Sequence, residues 1–135
     1  MTHQWDTDTC IYYLNGNPVI ARQAVECGIP NICVTAITMA ELFFGAHNSQ
    51  RQEANIARVN ELASYLTVLD TITIPVVEAF GRNKAALRQT GQLIGDFDIL
   101  IASFAQAHDL TLVTNNIAHF QRIPHLRLEN WMVTS

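Results

Sequence analysis

Short apolar segments of strand type alternate with longer segments of helical periodicity along the chain. Extended segments are predicted over residues 4–6, 31–35, 67–74, 110–114 and 126–130. Helices are predicted over residues 9–14, 18–27, 38–46, 51–66, 76–90, 95–108 and 116–121. Strands separated by helices favour a parallel sheet with helices on both faces. The sequence therefore predicts one α/β domain over residues 1–135, with functional side chains at the carboxyl ends of the strands.

Composition limits the class of protein. A chain of 135 residues that is 49% apolar and 15% charged suits one globular domain and not a disordered chain. No apolar run approaches the roughly 18 residues of a membrane span, and the first residues lack the basic and apolar regions of a signal peptide. The three cysteines are odd in number and lack a C-x-x-C spacing, so we expect reduced core residues and a cytoplasmic location.

The net charge bears on nucleic acid as a partner. A formal charge of −4 argues against a protein that holds nucleic acid by bulk electrostatics. It leaves open an enzyme that meets nucleic acid through a local patch and a metal ion.

Carboxylates stand at three of the predicted strand-to-helix junctions. Asp6 and Asp8 lie at the first junction, where either could cap the helix, but only one of them can do so. Glu41 follows the segment 31–35, and with Thr38 it fits the capping box Thr-x-x-Glu. On local grounds the capping interpretation of Glu41 is stronger than a catalytic one. Its position just past a strand end keeps the catalytic one open.

Asp96 and Asp98 stand two residues apart at the third junction, in "IGDFDILIA". On a helix these two side chains point about 200° apart, so they do not share a face. Asp96 fits the N-cap, whereas Asp98 lies on the face of Ile101, Ala102 and Ala105, which we expect to be buried. An unpaired buried carboxylate costs several kcal/mol, and no Arg or Lys is placed by local spacing to neutralise it.

The three acids Asp6, Glu41 and Asp98 can converge at one edge of a parallel sheet. Carboxylates held close together raise one another's pKa unless a cation neutralises them. Oxygen ligands without a His or Cys pattern suit Mg²⁺ or Mn²⁺ rather than zinc. The sequence therefore predicts a divalent metal site.

Several segments together resemble the PIN-domain toxins of the VapBC toxin–antitoxin class. They are "DTDTCIYYLNG", "VTAITMAELFFGA" and the stretch from "FGRNKAALRQ" to "LRLENW", so the resemblance covers nearly the whole chain. It places the acid of an L-D-T-N-like motif on Asp6, that of A-E-L on Glu41 and that of D-x-x-I-A on Asp98. Asp8 stands where the first motif often has Asn.

The fourth acid of the family pattern is absent. In a T-x-D-like motif it would fall on Asn116, which can still offer a neutral oxygen, and Thr114 before it either orients a ligand or caps the strand end. Some members carry an acid just before the following Phe, and that position is His119 here. Asp96 and Asp8 are expected to support the site, with Asp96 a further ligand if two metals bind.

The resemblance implies an α/β/α sandwich with a central, mostly parallel sheet and Mg²⁺- or Mn²⁺-dependent endoribonuclease activity. The expected substrate is structured RNA such as tRNA, cut by an activated water to leave 5′-phosphate and 3′-hydroxyl ends. The expected assembly is a homodimer inhibited by a VapB-type antitoxin, whose tail lies over the acids. The complex then binds promoter DNA through the antitoxin.

Other interpretations stay open. Arg82, Lys84 and Arg88 on one predicted helix are candidate RNA contacts, although a solvated helix face accounts for them at least as well. A PIN-fold binding or scaffold module without nuclease activity is the main alternative function. A phosphatase or receiver-like domain is disfavoured, because it needs a Lys near a late strand and the only lysine, Lys84, lies in a predicted helix.

Overall fold

The computed structural model describes residues 1–133. Five short strands form one sheet: β1 His3–Trp5, β2 Ile32–Thr35, β3 Thr67–Leu69, β4 Thr111–Val113 and β5 Leu128–Glu129. The helices are α1 Thr7–Leu14, α2 Pro18–Cys27, α3 Ala36–His47, α4 Gln52–Tyr65, α5 Ile74–Gln89, α6 Asp96–Ala107 and α7 Ile117–Phe120. A 3₁₀ turn, Ile29–Asn31, separates α2 from β2.

The sheet is parallel throughout, in the order β3-β2-β1-β4-β5. The first strand therefore lies at the centre, and His3 is opposite both Ile32 of β2 and Thr111 of β4. Because parallel strands point the same way, the chain leaves β1, β2 and β4 at one common edge.

Helices cover both faces of the sheet, as a parallel sheet requires. Trp5, Val34 and Val113 pack on one face with the buried residues of α1 to α4. Cys33 and Leu112 point the opposite way and pack with α5 and α6, because successive side chains of a strand alternate between faces. The result is the predicted α/β/α sandwich.

Several predicted boundaries are wrong. The segment 67–74 is a strand only as far as Leu69, which is paired with Thr35 at the end of β2. Beyond that point the chain has no neighbouring strand, and α5 begins at Ile74 with Pro75 in its first turn. Helices α1 and α3 begin at Thr7 and Ala36, two residues earlier than predicted.

Among residues 1–133, no helix combines the length and the apolar character needed to cross a bilayer.

A buried polar contact joins α5 to α6. Asn83 is 3% exposed, and its Nδ2 donates to Ser103 Oγ at 3.2 Å and to Gln106 Oε1 at 2.7 Å. We expect Asn83→Ala to lower the free energy of unfolding by about 1–3 kcal/mol, because two hydrogen bonds are lost and a half-buried amide oxygen loses its donor. Urea unfolding measures this difference. The exposed Gln89→Ala on the same helix should change stability by less than about 0.5 kcal/mol, and equal effects would contradict the assignment.

Candidate active site

Asp6 follows β1 directly and caps α1. Its Oδ1 accepts the Thr9 N–H at 2.8 Å, and the residue is 4% exposed. Burial raises the pKa of Asp6, hydrogen bonds from Thr114 and Thr9 offset part of that rise, and the resulting pKa is about 6. The capping and site interpretations therefore apply to the same residue, while Asp8 lies exposed in the first turn of α1.

Glu41 has no capping role, so the capping-box interpretation is wrong. The N-cap of α3 is Thr35, whose side chain accepts the Thr38 N–H at 3.1 Å. Glu41 consequently lies in the second turn, where its Oε1 accepts a hydrogen bond from the Thr7 hydroxyl at 2.5 Å. The first turn of α1 thus holds the acid of α3 in place.

Asp96 is not the N-cap of α6 either. Gly95 occupies the cap position, and the Asp96 carboxylate, more than half exposed, pairs with Lys84 Nζ at 3.0 Å. The side chain of Asp98 is 37% exposed, and its Oδ2 lies 2.9 Å from His119 Nε2. Asp98 is therefore neither fully buried nor unpaired, so the predicted need for a cation at this residue alone is wrong. Helix α6 also follows α5 rather than a strand, so Asp98 does not lie at a strand-to-helix junction as predicted.

Thr114 and Asn116 lie in the turn between β4 and α7. The Thr114 side chain is fully buried, and its hydroxyl oxygen accepts the Asn116 N–H at 2.9 Å. Thr114 thus caps the strand end, which is one of the two roles predicted for it. Its side chain also hydrogen-bonds Asp6. Asn116 occupies the cap position of α7 and lines the pocket described next.

The structure brings the predicted acids to one place. A pocket of about 200 Å³ lies where α1, α3, α6 and α7 begin, and it is lined by seven residues: Asp6, Thr7, Asp8, Glu41, Asp98, Asn116 and Phe120. No Lys or Arg is among them. Asp96 does not line the pocket, nor do the helix α5 cations Arg82, Lys84 and Arg88.

The carboxylates lie apart within this pocket. Among residues 1–133, no three His, Cys, Asp or Glu side chains stand close enough to hold one ion as they are. Glu41 is turned to Thr7 and Asp98 to His119, which separates like charges. The donors that line the pocket are all oxygens, and such a set fits a hard divalent cation.

Sequence reasoning missed two polar partners in the site. Thr7 and His119 hold Glu41 and Asp98 from positions 34 and 21 residues away. The only signal for either residue was its place beside a motif: Thr7 between two aspartates, and His119 before Phe120.

Comparison with known proteins identifies this arrangement. The model of the family "PIN domain" matches residues 5–126. The chain belongs to the PIN-domain family. Ribonuclease VapC2 of Haemophilus influenzae is 38% identical to this PIN domain over 132 residues, covering 98% of the chain and 99% of the relative. The tRNA(fMet)-specific endonuclease VapC of Salmonella typhimurium is 36% identical over 126 residues, covering 93% and 95%.

Solved structures agree with these matches. The toxin fold in DNA-bound VapBC from Salmonella typhimurium superposes on this PIN domain with a TM-score of 0.91 at 34% identity, covering 97% of this chain and 98% of that one. VapBC2 from Rickettsia felis, bound to a promoter fragment, gives 0.88 at 37% identity, covering 97% and 99%. The predicted fold and the resemblance to VapBC toxins are confirmed, and the matches support a PIN-domain nuclease toxin.

The pKa of Asp6 generates a stability prediction. A carboxyl whose pKa rises from 3.8 to about 6 on folding favours the folded state at low pH and costs stability once it ionises. Asp6→Asn keeps an N-cap side chain and removes this cost. In EDTA, we therefore expect the variant to be more stable than the wild type by on the order of 2–3 kcal/mol above pH 7, with the gain fading towards pH 4.

Urea unfolding at pH 4.5 and pH 7.5 measures this gain. The matched control is Asp8→Asn, two residues away and exposed, which should give no comparable rise in stability with pH. An Asp6→Asn variant that is less stable than the wild type at pH 7.5 would contradict the burial argument.

Proposed function

We propose that this chain is a single-domain, Mg²⁺- or Mn²⁺-dependent endoribonuclease toxin of a type II toxin–antitoxin pair. One observation carries the proposal: Asp6 and Glu41, which follow β1 and β2, and Asp98, in the first turn of α6, line one pocket without a Lys or Arg. VapC relatives that match this chain over nearly their full length are named ribonucleases.

The pocket suits a divalent cation. Asp6, Glu41 and Asp98 would hold it, Asn116 offers a neutral oxygen, and Asp8 adds negative charge at the rim. When bound, Mg²⁺ supplies Lewis-acid activation of a water and offsets the charge of the phosphate. The pKa of Asp6, about 6 without a cation, makes its carboxylate largely ionised and able to bind at neutral pH.

We infer that no protein side chain acts as the nucleophile, since no Ser, Cys or Lys lines the pocket. The Thr7 hydroxyl donates a hydrogen bond to Glu41, and we assign it the role of holding that acid in place. We infer that water attacks the phosphorus while the bond to the 3′ oxygen breaks. The products would carry a 5′-phosphate and a 3′-hydroxyl, with the departing oxygen taking up the proton. Glu41, held by Thr7, and Asp98, held by His119, keep their positions during this displacement.

Structured RNA such as tRNA is the proposed substrate. The Salmonella typhimurium relative is named as specific for tRNA(fMet). The predicted RNA-contact cations lie on α5, next to α6. Lys84 pairs with Asp96 at the start of α6, and Arg82 pairs with Glu78. Arg88 is exposed and makes no ion pair within residues 1–133.

Cleavage of RNA by purified, antitoxin-free protein tests the proposal. We expect Mg²⁺-dependent cleavage that EDTA abolishes, and a loss of at least about 100-fold in Asp98→Asn, because removing a ligand should cost at least as much as removing a group behind one. The matched control is Asp96→Asn, which removes the same charge two residues away and should stay within about threefold of the wild type. Wild-type rates in Asp98→Asn would refute the assignment.

The scaffold alternative predicts a different result in the same preparation. Asn116 and His119 replace the family's fourth acid, which is the one observation in its favour. A scaffold would neither cleave RNA nor bind Mg²⁺ at this pocket, so a metal titration of the wild type beside Asp6→Asn separates the two functions.

A VapB-type antitoxin is the proposed partner, since the homologous structures are VapBC complexes. An apolar groove of about 240 Å³ lies between α1, α3 and α4, where Ile11, Leu14, Leu42 and Val59 line it. Glu41 lines both this groove and the acid pocket. A partner segment seated in the groove would therefore end beside the catalytic acids. We propose further that the toxin forms homodimers and meets promoter DNA only through the antitoxin, as two VapBC structures contain DNA.

Two glycines give a matched test of the groove. Gly45 lines it, Gly81 lies on α5 away from it, and a Cβ at either position meets no atom within 4 Å. We expect Gly45→Arg to weaken binding of the antitoxin encoded beside this gene by at least about tenfold, or 1.4 kcal/mol, because the side chain fills the groove.

Gly81→Arg should leave the affinity unchanged, and calorimetry on both variants measures the difference. Gly45→Arg should also cleave RNA in the presence of antitoxin concentrations that silence the wild type. Equal affinities in the two variants would place the antitoxin elsewhere.

A further inference from the structure

His119 contacts a proposed metal ligand from the junction that lacks an acid. Its Nε2 lies 2.9 Å from Asp98 Oδ2. An ionised carboxylate can only accept a hydrogen bond, so Nε2 must carry the proton and donate it. His119 is therefore a donor to Asp98.

The His119 ring is fixed by its own surroundings. Its backbone N–H donates to the Asn116 carbonyl at 3.2 Å, within the turn that opens α7. The next residue, Phe120, is 2% exposed, and the two rings stand edge to face with centroids 5.5 Å apart. The side chain of His119 is 26% exposed, so the donor is held mostly within the protein, next to Asp98 of the pocket.

The two carboxylate oxygens of Asp98 have different surroundings. Oδ2 is taken by His119, whereas Oδ1 accepts no hydrogen bond from residues 1–133 and Asp98 lines the pocket. Without the donor, repulsion from Asp6 and Glu41 would favour rotation of this carboxylate, 37% exposed, towards solvent.

We propose that His119 is a positioning residue, which holds the Asp98 carboxylate with one oxygen turned to the pocket so that Asp98 binds a divalent cation through that oxygen. This inference rests on the proposed metal site and adds a residue that the acid motifs omit. Groups that orient a metal ligand from behind typically change affinity by 10–100-fold when removed.

Mn²⁺ binding by calorimetry tests the role with two variants. The amide nitrogen of His119→Gln reaches about as far as Nε2 and can donate, whereas His119→Met has similar length and no donor. We expect Mn²⁺ to bind His119→Gln within about threefold of the wild type, and His119→Met at least tenfold more weakly. Thermal unfolding in EDTA verifies that both variants are folded. Wild-type affinity in His119→Met, or equal weakening in both, overturns the proposal.

NMR of the histidine side chains gives a second readout, on the wild-type protein itself. With ¹⁵N labelling, we expect His119 Nε2 to be protonated in EDTA, to stay so in saturating Mg²⁺, and to shift in Asp98→Asn. Loss of the Nε2 proton on adding Mg²⁺ would make His119 a ligand and overturn the positioning role.

The two levels of inference fail in different ways. If wild-type protein binds no Mn²⁺, the proposed metal site is wrong and the role of His119 falls with it. If the wild type binds Mn²⁺ and His119→Met binds it equally, the metal site stands and only the role of His119 is wrong.

Discussion

The pairing of β1 with two neighbours determines where the chemistry lies. β1 is hydrogen-bonded in parallel to β2 on one side and to β4 on the other. The three strands end together, and the chain turns into α1, α3 and α7 at the same edge. Asp6 at the central strand end thus has Glu41 on one side and Asn116 on the other, while α6 brings Asp98 from the opposite face. Strand order thus places Asp6, Glu41 and Asn116 side by side, and the packing of α6 on the sheet adds Asp98.

Capping decides which of these acids is free to act. A helix start needs acceptors for its unpaired N–H groups. At α3 the Thr35 hydroxyl meets that need, and at α6 the cap position is Gly95, so Glu41 and Asp98 are spared it. Asp6 both caps α1 and lines the acid pocket. Its burial raises its pKa to about 6. The ionised carboxylate of Asp6 therefore destabilises the folded state at neutral pH, and such perturbed groups are common at functional sites.

Much of the fold could be predicted from sequence, because the spacing of apolar residues and the positions of Gly and Pro are local signals of helices and strands. Helix starts could not. Thr38 and Asp96 looked like caps, yet the cap positions are Thr35 and Gly95. The start of α3 is determined by the end of β2, whose last residue, Thr35, pairs with Leu69 and caps the helix. Asp6 and Glu41 could be located because each follows a predicted strand, while the hydroxyl and imidazole that contact Glu41 and Asp98 come from distant segments and could not.

The acid pocket and the net charge of −4 set a condition on any RNA substrate. A phosphate entering a pocket of carboxylates is repelled until a cation offsets their charge, so substrate binding and metal binding must be coupled. The cations on α5 do little to relieve this, since Arg82 and Lys84 already pair with Glu78 and Asp96. Under the proposed function, affinity for RNA would come from few ionic contacts and from the shape of the substrate, which favours a folded RNA over an arbitrary strand.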